Sequence, residues 1–246
     1  MAFTIKLTGA RLFATAAAVT AALAASSAQA TAKNTVHGPQ DDPKGDILGT
    51  FIGDRDNSPD LDVRHVEAAY DFDSIILTAR MWGDIGTTGD GLYIWGVDRG
   101  AGTAFLDALP GPKIGGPDIT FDSFIQLNND GTGFAVVFNP VPGSATGAAD
   151  VFNFTSGQIK IAGDTITVDV PRAWLPSLGA DISQYGFNMW PRIIGTGNNA
   201  FVSDFSPNTT NLTGTAVPEP GTWALMIAGF GLAGVGLRRR RTALAA

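Results

Sequence analysis

The stretch Asp54-Arg55-Asp56-Asn57-Ser58-Pro59-Asp60-Leu61-Asp62 puts four carboxylates and one amide into nine residues. Hard cations such as calcium take about six to eight oxygen ligands from flexible loops, and Asp54, Asp56, Asn57, Asp60 and Asp62 would offer them. The spacing departs from an EF-hand: Pro59 stands where that loop needs Gly, and His65 where it closes on Glu. Asp and Asn also cap their own backbone, so the same residues make an ordinary turn between strands. From sequence both readings stand, a calcium centre or a turn. Asp41, Asp42 and Asp46 form a second, smaller acidic group upstream.

Flat aromatic faces are the other chemistry on offer. Trp82, Tyr93, Trp95, Trp174 and Trp190 could stack on sugar rings or fill a core. Trp95 is followed by Gly96, Asp98, Arg99 and Gly100, which makes Trp95 and Arg99 a candidate ligand pair of platform and cation. Asp98 and Arg99 would otherwise pair across a surface turn. Covalent and zinc chemistry find little. There is no Cys and no G-x-S-x-G, and the two histidines, His37 and His65, lack zinc-ligand spacing. A glycosidase needs two carboxylates across the scissile bond; Asp98 and Asp122 are one pair among many Asp. No catalytic residue is assigned. The expectation is a non-catalytic module, with a secreted polysaccharide-acting hydrolase as the alternative.

These residues sit among short strands. Ile75 to Trp82 puts Ile75, Leu77, Ala79 and Met81 on one face. Leu61 to Tyr70, Leu92 to Val97, Ile119 to Leu127, Gly133 to Asn139 and Val151 to Thr155 read as further strands. Asn128-Asn-Asp-Gly131 is a hairpin signal, and Gly163-Asp164 suits a type II′ turn between Gln158–Ala162 and Thr165–Val170. Pro171 begins a short helical turn through Leu175. Phe187 to Trp190 and Ala200 to Phe205 complete the set. The expected fold class is all-β: an antiparallel, jelly-roll-like β-sandwich over residues 31–205. Residues 206–216, rich in Ser, Thr and Asn, read as a linker.

Met1 to Ala30 has the pattern of a secretory signal: Lys6 and Arg11, an Ala-rich apolar run, then Ser26-Ser-Ala28-Gln-Ala30. Small residues at Ala28 and Ala30 place cleavage before Thr31. Without Cys the exported part has no disulfides and no lipid attachment of the lipoprotein kind. Thr31 to Ala216 carries ten Lys and Arg against 22 acids, a net charge of −12. Such a surface repels nucleic acid and anionic membranes, and it attracts divalent cations.

The last stretch runs Val217-Pro218-Glu219-Pro220-Gly-Thr-Trp223-Ala224, then an apolar run to Leu237, then Arg238, Arg239, Arg240 and Arg241. As a helix, residues 223–237 would span about 22 Å, short of the roughly 30 Å hydrocarbon core. Trp223 at one interface and snorkelling arginines at the other make up the difference. The arginines keep that end cytoplasmic. Gly229, Gly231, Gly234 and Gly236 suit helix approach in lipid better than a soluble helix. Gly229 to Gly234 also matches G-x-G-x-x-G, but no strand precedes it and no acid follows.

Pro218, Glu219, Pro220, Trp223, Ala224, the Gly229-Phe230-Gly231 run and Arg238 to Arg241 together resemble a PEP-CTERM sorting signal. The resemblance implies recognition by an exosortase, a membrane transpeptidase, and cutting near Pro-Glu-Pro. It implies passage through the secretion machinery and a transient inner-membrane anchor in a Gram-negative bacterium. Delivery to the cell surface or exopolysaccharide matrix would follow. A second resemblance rests on Asp42-Pro-Lys-Gly-Asp46, Leu61-Asp62-Val63 and the strand rhythm, which are similar to the DOMON-like and carbohydrate-binding β-sandwich group. It implies that fold and a link to sugars. The functional expectation is a structural or glycan-associated surface module, with calcium as its one candidate cofactor. The alternative within binding proteins is a calcium-dependent carbohydrate binder.

Overall fold

The computed structural model describes residues 35–139 and 148–214. The expected signal peptide with Ala28, Ala30 and Thr31, the sorting motif, and the expected transmembrane segment 223–237 lie outside the described residues. Among the described residues no helix is long and apolar enough to cross a membrane.

Alternation of apolar and polar side chains builds eleven strands among the described residues. They are β1 (Thr35–Asp41), β2 (Val63–Tyr70), β3 (Ser74–Met81), β4 (Gly91–Asp98), β5 (Ser123–Asn128) and β6 (Gly133–Asn139), followed by β7 (Ala148–Asn153), β8 (Ile159–Ala162), β9 (Thr165–Pro171), β10 (Gly186–Met189) and β11 (Arg192–Ile193). They form two antiparallel sheets. One has the order β1-β2-β3-β9-β8; the other has β10-β4-β5-β6-β7, with β11 also on β4. Most neighbours are sequential hairpins, in place of the Greek keys of a jelly roll. Pairing between β3 and β9, and between β10 and β4, joins segments distant in sequence.

The two sheets share one apolar core. Leu77, Ala79 and Val168 from the first sheet meet Trp95, Ile125 and Phe187 from the second. Fully burying such a large apolar side chain contributes about 1.5–3 kcal/mol. In β3 the expected face is the buried one: Ile75, Leu77, Ala79 and Met81 are all inaccessible. A second cluster lies on the other side of β4, where Ile94 packs with Phe121, Trp190 and Phe205. A strand covered on both faces reads as an unbroken apolar run, and this is why Leu92 to Val97 shows no alternation.

The turns follow their chemistry. Asp71 accepts from the backbone N–H of Asp73 and Ser74 at 2.9 and 2.8 Å. Gly131 and Gly163 adopt φ of +80° and +59° in the two hairpins, a region that suits Gly. Three expectations change. Ala200 to Phe205 is a 3-10 turn at Asn199–Phe201 followed by single bridges, not a strand. Strand β5 begins at Ser123 rather than Ile119. The Ser/Thr/Asn stretch after 205 is part of the fold. Met189 and Ser206 exchange backbone bonds of 2.9 and 2.8 Å, and Phe187 and Leu212 exchange bonds of 3.0 and 2.7 Å. This stretch covers the flank of β10 away from β4, whose N–H and C=O groups need partners. The ordered domain thus extends to at least Leu212, whose side chain is buried.

Candidate metal centre

The loop at 54–62 is organised around a hydrogen-bonded Asp60. Asp60 accepts from Thr88 Oγ1 at 2.6 Å, Tyr93 OH at 2.8 Å, Thr88 N at 3.0 Å and Gly86 N at 3.2 Å. Burial, and then the Asp60 charge beside it, pushes the Tyr93 hydroxyl above its ordinary pKa, so it stays a donor. Asp54 is exposed and caps the turn, accepting from Asn57 Nδ2 at 2.7 Å and Asp56 N at 3.2 Å. Asp56 and Asn57 are exposed. Pro59–Leu61 is a 3-10 turn that sends Asp60 one way and Asp62 another. The five residues expected to share a cation are therefore spread over a capped turn.

The ligand pair Trp95 and Arg99 is likewise internal. Trp95 faces the shared core and is inaccessible, because odd positions of β4 point inward. Arg99 is also inaccessible. Its Nε donates to Asp122 Oδ1 at 2.6 Å and its Nη1 to Pro176 O at 3.0 Å, while Nη2 donates to Phe138 O. Asp122 is thus the Arg99 counter-ion. Asp98 accepts from Gly100 N, Gly102 N and Thr120 Oγ1 at 2.8, 2.9 and 2.6 Å. Both carboxylates of the weighed hydrolase pair hold local structure. Trp174 stacks on Phe152, Trp190 stacks on Phe121, and Trp82 lies under Arg64 and Lys44. His65 meets Asp41 at 2.7 Å near the surface. His37 is buried between Tyr70 and Phe187, and desolvation lowers its pKa to about 4.

The acidic group that does converge is assembled from both ends of the domain. Asp42, Asp46 and Asp204 each bring one oxygen to within 4.8 Å of the others. Asp42 follows β1, where its N–H continues the ladder to Arg64 O at 3.0 Å. Asp46 comes after the Gly45 turn, φ +83°. Asp204 is held by two backbone donors, Val63 N at 2.9 Å and Phe205 N at 2.7 Å. Asn208 Nδ2 donates to Asp46 Oδ2 at 3.0 Å and Asp42 Oδ1 at 3.3 Å. Asp62 borders the group, accepting from Gly45 N at 2.8 Å. Asp42 Oδ2, Asp46 Oδ1 and Asp62 Oδ1 are buried with no partner.

This is an electrostatically unfavourable arrangement as it stands. Among the described residues no Lys or Arg forms an ion pair with any of the four carboxylates. Burial, reinforced by the Asp46 charge, raises the Asp42 pKa to about 7. Burial with Asp42 and Asp46 nearby raises that of Asp204 to about 8. Burial also raises the pKa of Asp62. Asp42, Asp46 and Asp204 are a group that could hold an oxygen-preferring cation. A groove of about 430 Å3 opens beside Asp46, lined also by Thr50, Lys113 and Asn208. Asp42 and Asp46 belong to the upstream acidic group seen in the sequence; Asp204 went unnoticed. Its one signal was a lone carboxylate inside the apolar stretch Phe201-Val-Ser-Asp204-Phe205.

Neither the curated proteins nor the solved structures gave a match to this chain. The DOMON-like resemblance therefore rests on its own few residues. Residues 216–241 match the family described as PEP-CTERM protein-sorting motif. That span holds the Pro-Glu-Pro, the apolar run and the arginine block together, so the chain carries a PEP-CTERM protein-sorting motif, which implies export to the cell envelope and sorting by an exosortase.

Proposed function

We propose that the folded part is a non-catalytic β-sandwich module of the cell surface or exopolysaccharide matrix, structural or glycan-associated. The observation that carries this reading is the sorting motif at 216–241 following a folded domain. Fractionation of the native cells tests it. The mature protein is expected at the surface or in the matrix, without Arg241, and in the membrane fraction with its tail when the exosortase gene is deleted. Recovery from the cytosol with Arg241 in place would overturn it.

A second reading, calcium-dependent carbohydrate binding, is favoured by one feature. Of the converging carboxylates Asp42, Asp46 and Asp204, Asp46 lines a groove of mixed character with Thr50, Lys113, Phe205 and Asn208. Calcium suits them because it accepts oxygen ligands in irregular geometry at about 2.3–2.6 Å. Retention on the cell's own polysaccharide, reversed by chelator, is the expected result; retention that ignores chelator would remove the calcium dependence.

A further inference from the structure

We infer that a calcium ion held by Asp42, Asp46 and Asp204 clamps the two ends of the domain together. It thereby sets the order of the segment that leads in sequence to the sorting signal. The inference rests on the calcium reading above and adds what the ion does.

The ligand atoms lie within 4.8 Å of one another, a spread that two Ca–O bonds of about 2.4 Å can bridge. Acidic side chains often gather without an ion, so the neighbouring atoms matter. Asp42 is 7% exposed, and its Oδ2 has no partner. Ser206, two residues past Asp204, is buried, and its Oγ has no hydrogen-bond partner. Asp46 Oδ1 and Asp62 Oδ1 are buried and equally unpartnered. The large majority of buried side-chain polar atoms in native folds have partners. The unpartnered oxygens of Asp42 and Asp46 within the converging group, with those of Asp62 and Ser206 nearby in sequence to its members, point to a ligand position.

The ligands come from opposite ends of the domain. Asp42 and Asp46 lie just past the first strand, and Asp204 lies just ahead of the stretch Ser206 to Leu212 that flanks β10. Leu48 N donates to Ser203 O at 2.7 Å beside the centre. Without an ion, the side-chain link from Asp42 and Asp46 to the last segment is one amide, Asn208 Nδ2, shared by both carboxylates 166 residues from Asp42. Repulsion among the carboxylates works against that link, and a divalent cation reverses its sign. A ligand bound only to the closed form suppresses opening by the factor 1 + [Ca]/Kd. Extracellular calcium modules bind at roughly 0.1–1 mM. The last segment is therefore loose where calcium is scarce and fixed where it is plentiful.

The test uses the full-length chain in detergent, stripped with EDTA, with calcium alone added. Calorimetry reports binding, and hydrogen exchange reports local opening. One ion per chain is expected. At free calcium ten times Kd, the amides of Val63, Phe205, Ser206 and Leu212 should exchange about tenfold more slowly, while β5 and β6 keep their rates. Asp46→Asn should abolish both responses, and Asp56→Asn in the exposed turn should keep both. The wild-type measurement stands even if a variant does not fold. No calcium binding overturns the site and the calcium reading together. Binding with unchanged exchange over 203–212 overturns the clamp and leaves the calcium reading intact. Undiminished binding by a folded Asp46→Asn variant puts the ion elsewhere and overturns the assignment.

Discussion

Asp60 and Asp42 are both buried carboxylates and show opposite solutions. Asp60 has four donors around it, whereas Asp42 Oδ2 has none. Asp60→Ala would strand Tyr93 OH and the backbone N–H of Thr88, and we expect a loss of about 3 kcal/mol in urea unfolding with an unchanged calcium response. An Asp60 that ligated the ion would lose that response as well. Arg99→Met, which leaves Asp122 buried and uncompensated, should cost about 3–5 kcal/mol, part of it recovered by adding Asp122→Leu. The pH dependence has two sources. His37 has a folded pKa near 4, below the ordinary histidine value of about 6.5. Its contribution is present above pH 6.5 and is lost as pH falls toward 4. His37→Phe should therefore gain on wild type over that interval, by up to about 3 kcal/mol. Asp42 and Asp204 have folded pKa values raised to about 7 and about 8. Their stabilising contribution in the metal-free protein is full below the ordinary aspartate value of about 3.8 and is lost as pH rises through those values. Thermal melts with calcium and with chelator should separate progressively from pH 5 to pH 9; parallel curves would contradict the assignment.

At the scale of elements, the hairpins were legible because their signals are local. Alternation in β3, Asn128 to Gly131, and Gly163-Asp164 each specify a conformation within a few residues. Strand β1 was missed because its sequence, Thr-Val-His-Gly-Pro-Gln-Asp, includes Gly38 and Pro39, and its register shifts between His37 and Gln40. Only pairing with β2 makes it a strand. The stretch after Phe205 reads as a linker by composition, since polar residues dominate and the one large apolar side chain, Leu212, is isolated. Its place along β10 comes from unpaired backbone groups, which composition does not record. Truncation after Phe205 should lower the melting temperature by about 10 °C compared with truncation after Gly214, through loss of Leu212 burial and of the Asn188 bonds to Pro207 O and Thr210 O. Equal melting temperatures would restore the linker reading.

At the scale of the whole molecule, export and acidity belong together. The segment from Thr31 to Ala216 has a net charge of −12 and no disulfide, so its stability depends on apolar burial and on what neutralises its carboxylates. The sorting tail makes a separate prediction. Replacing Pro218-Glu219-Pro220 with alanines should leave the precursor in the membrane fraction with Arg241 still attached, read by mass spectrometry of the C-terminal peptide. Processing at the usual rate would show that the exosortase reads something else.

The sequence alone determined the all-β class, most of the hairpins and the sorting motif, because alternation, turn residues and a linear motif act through neighbours in the chain. It also supplied the residue types for a hard cation. Tertiary structure decided which of them meet. Packing of two sheets turned Trp95 inward and gave Arg99 to Asp122, and closure of the chain brought Asp204 to Asp42 and Asp46. No local pattern encodes that meeting, since it is the core between the sheets that fixes where distant segments come together.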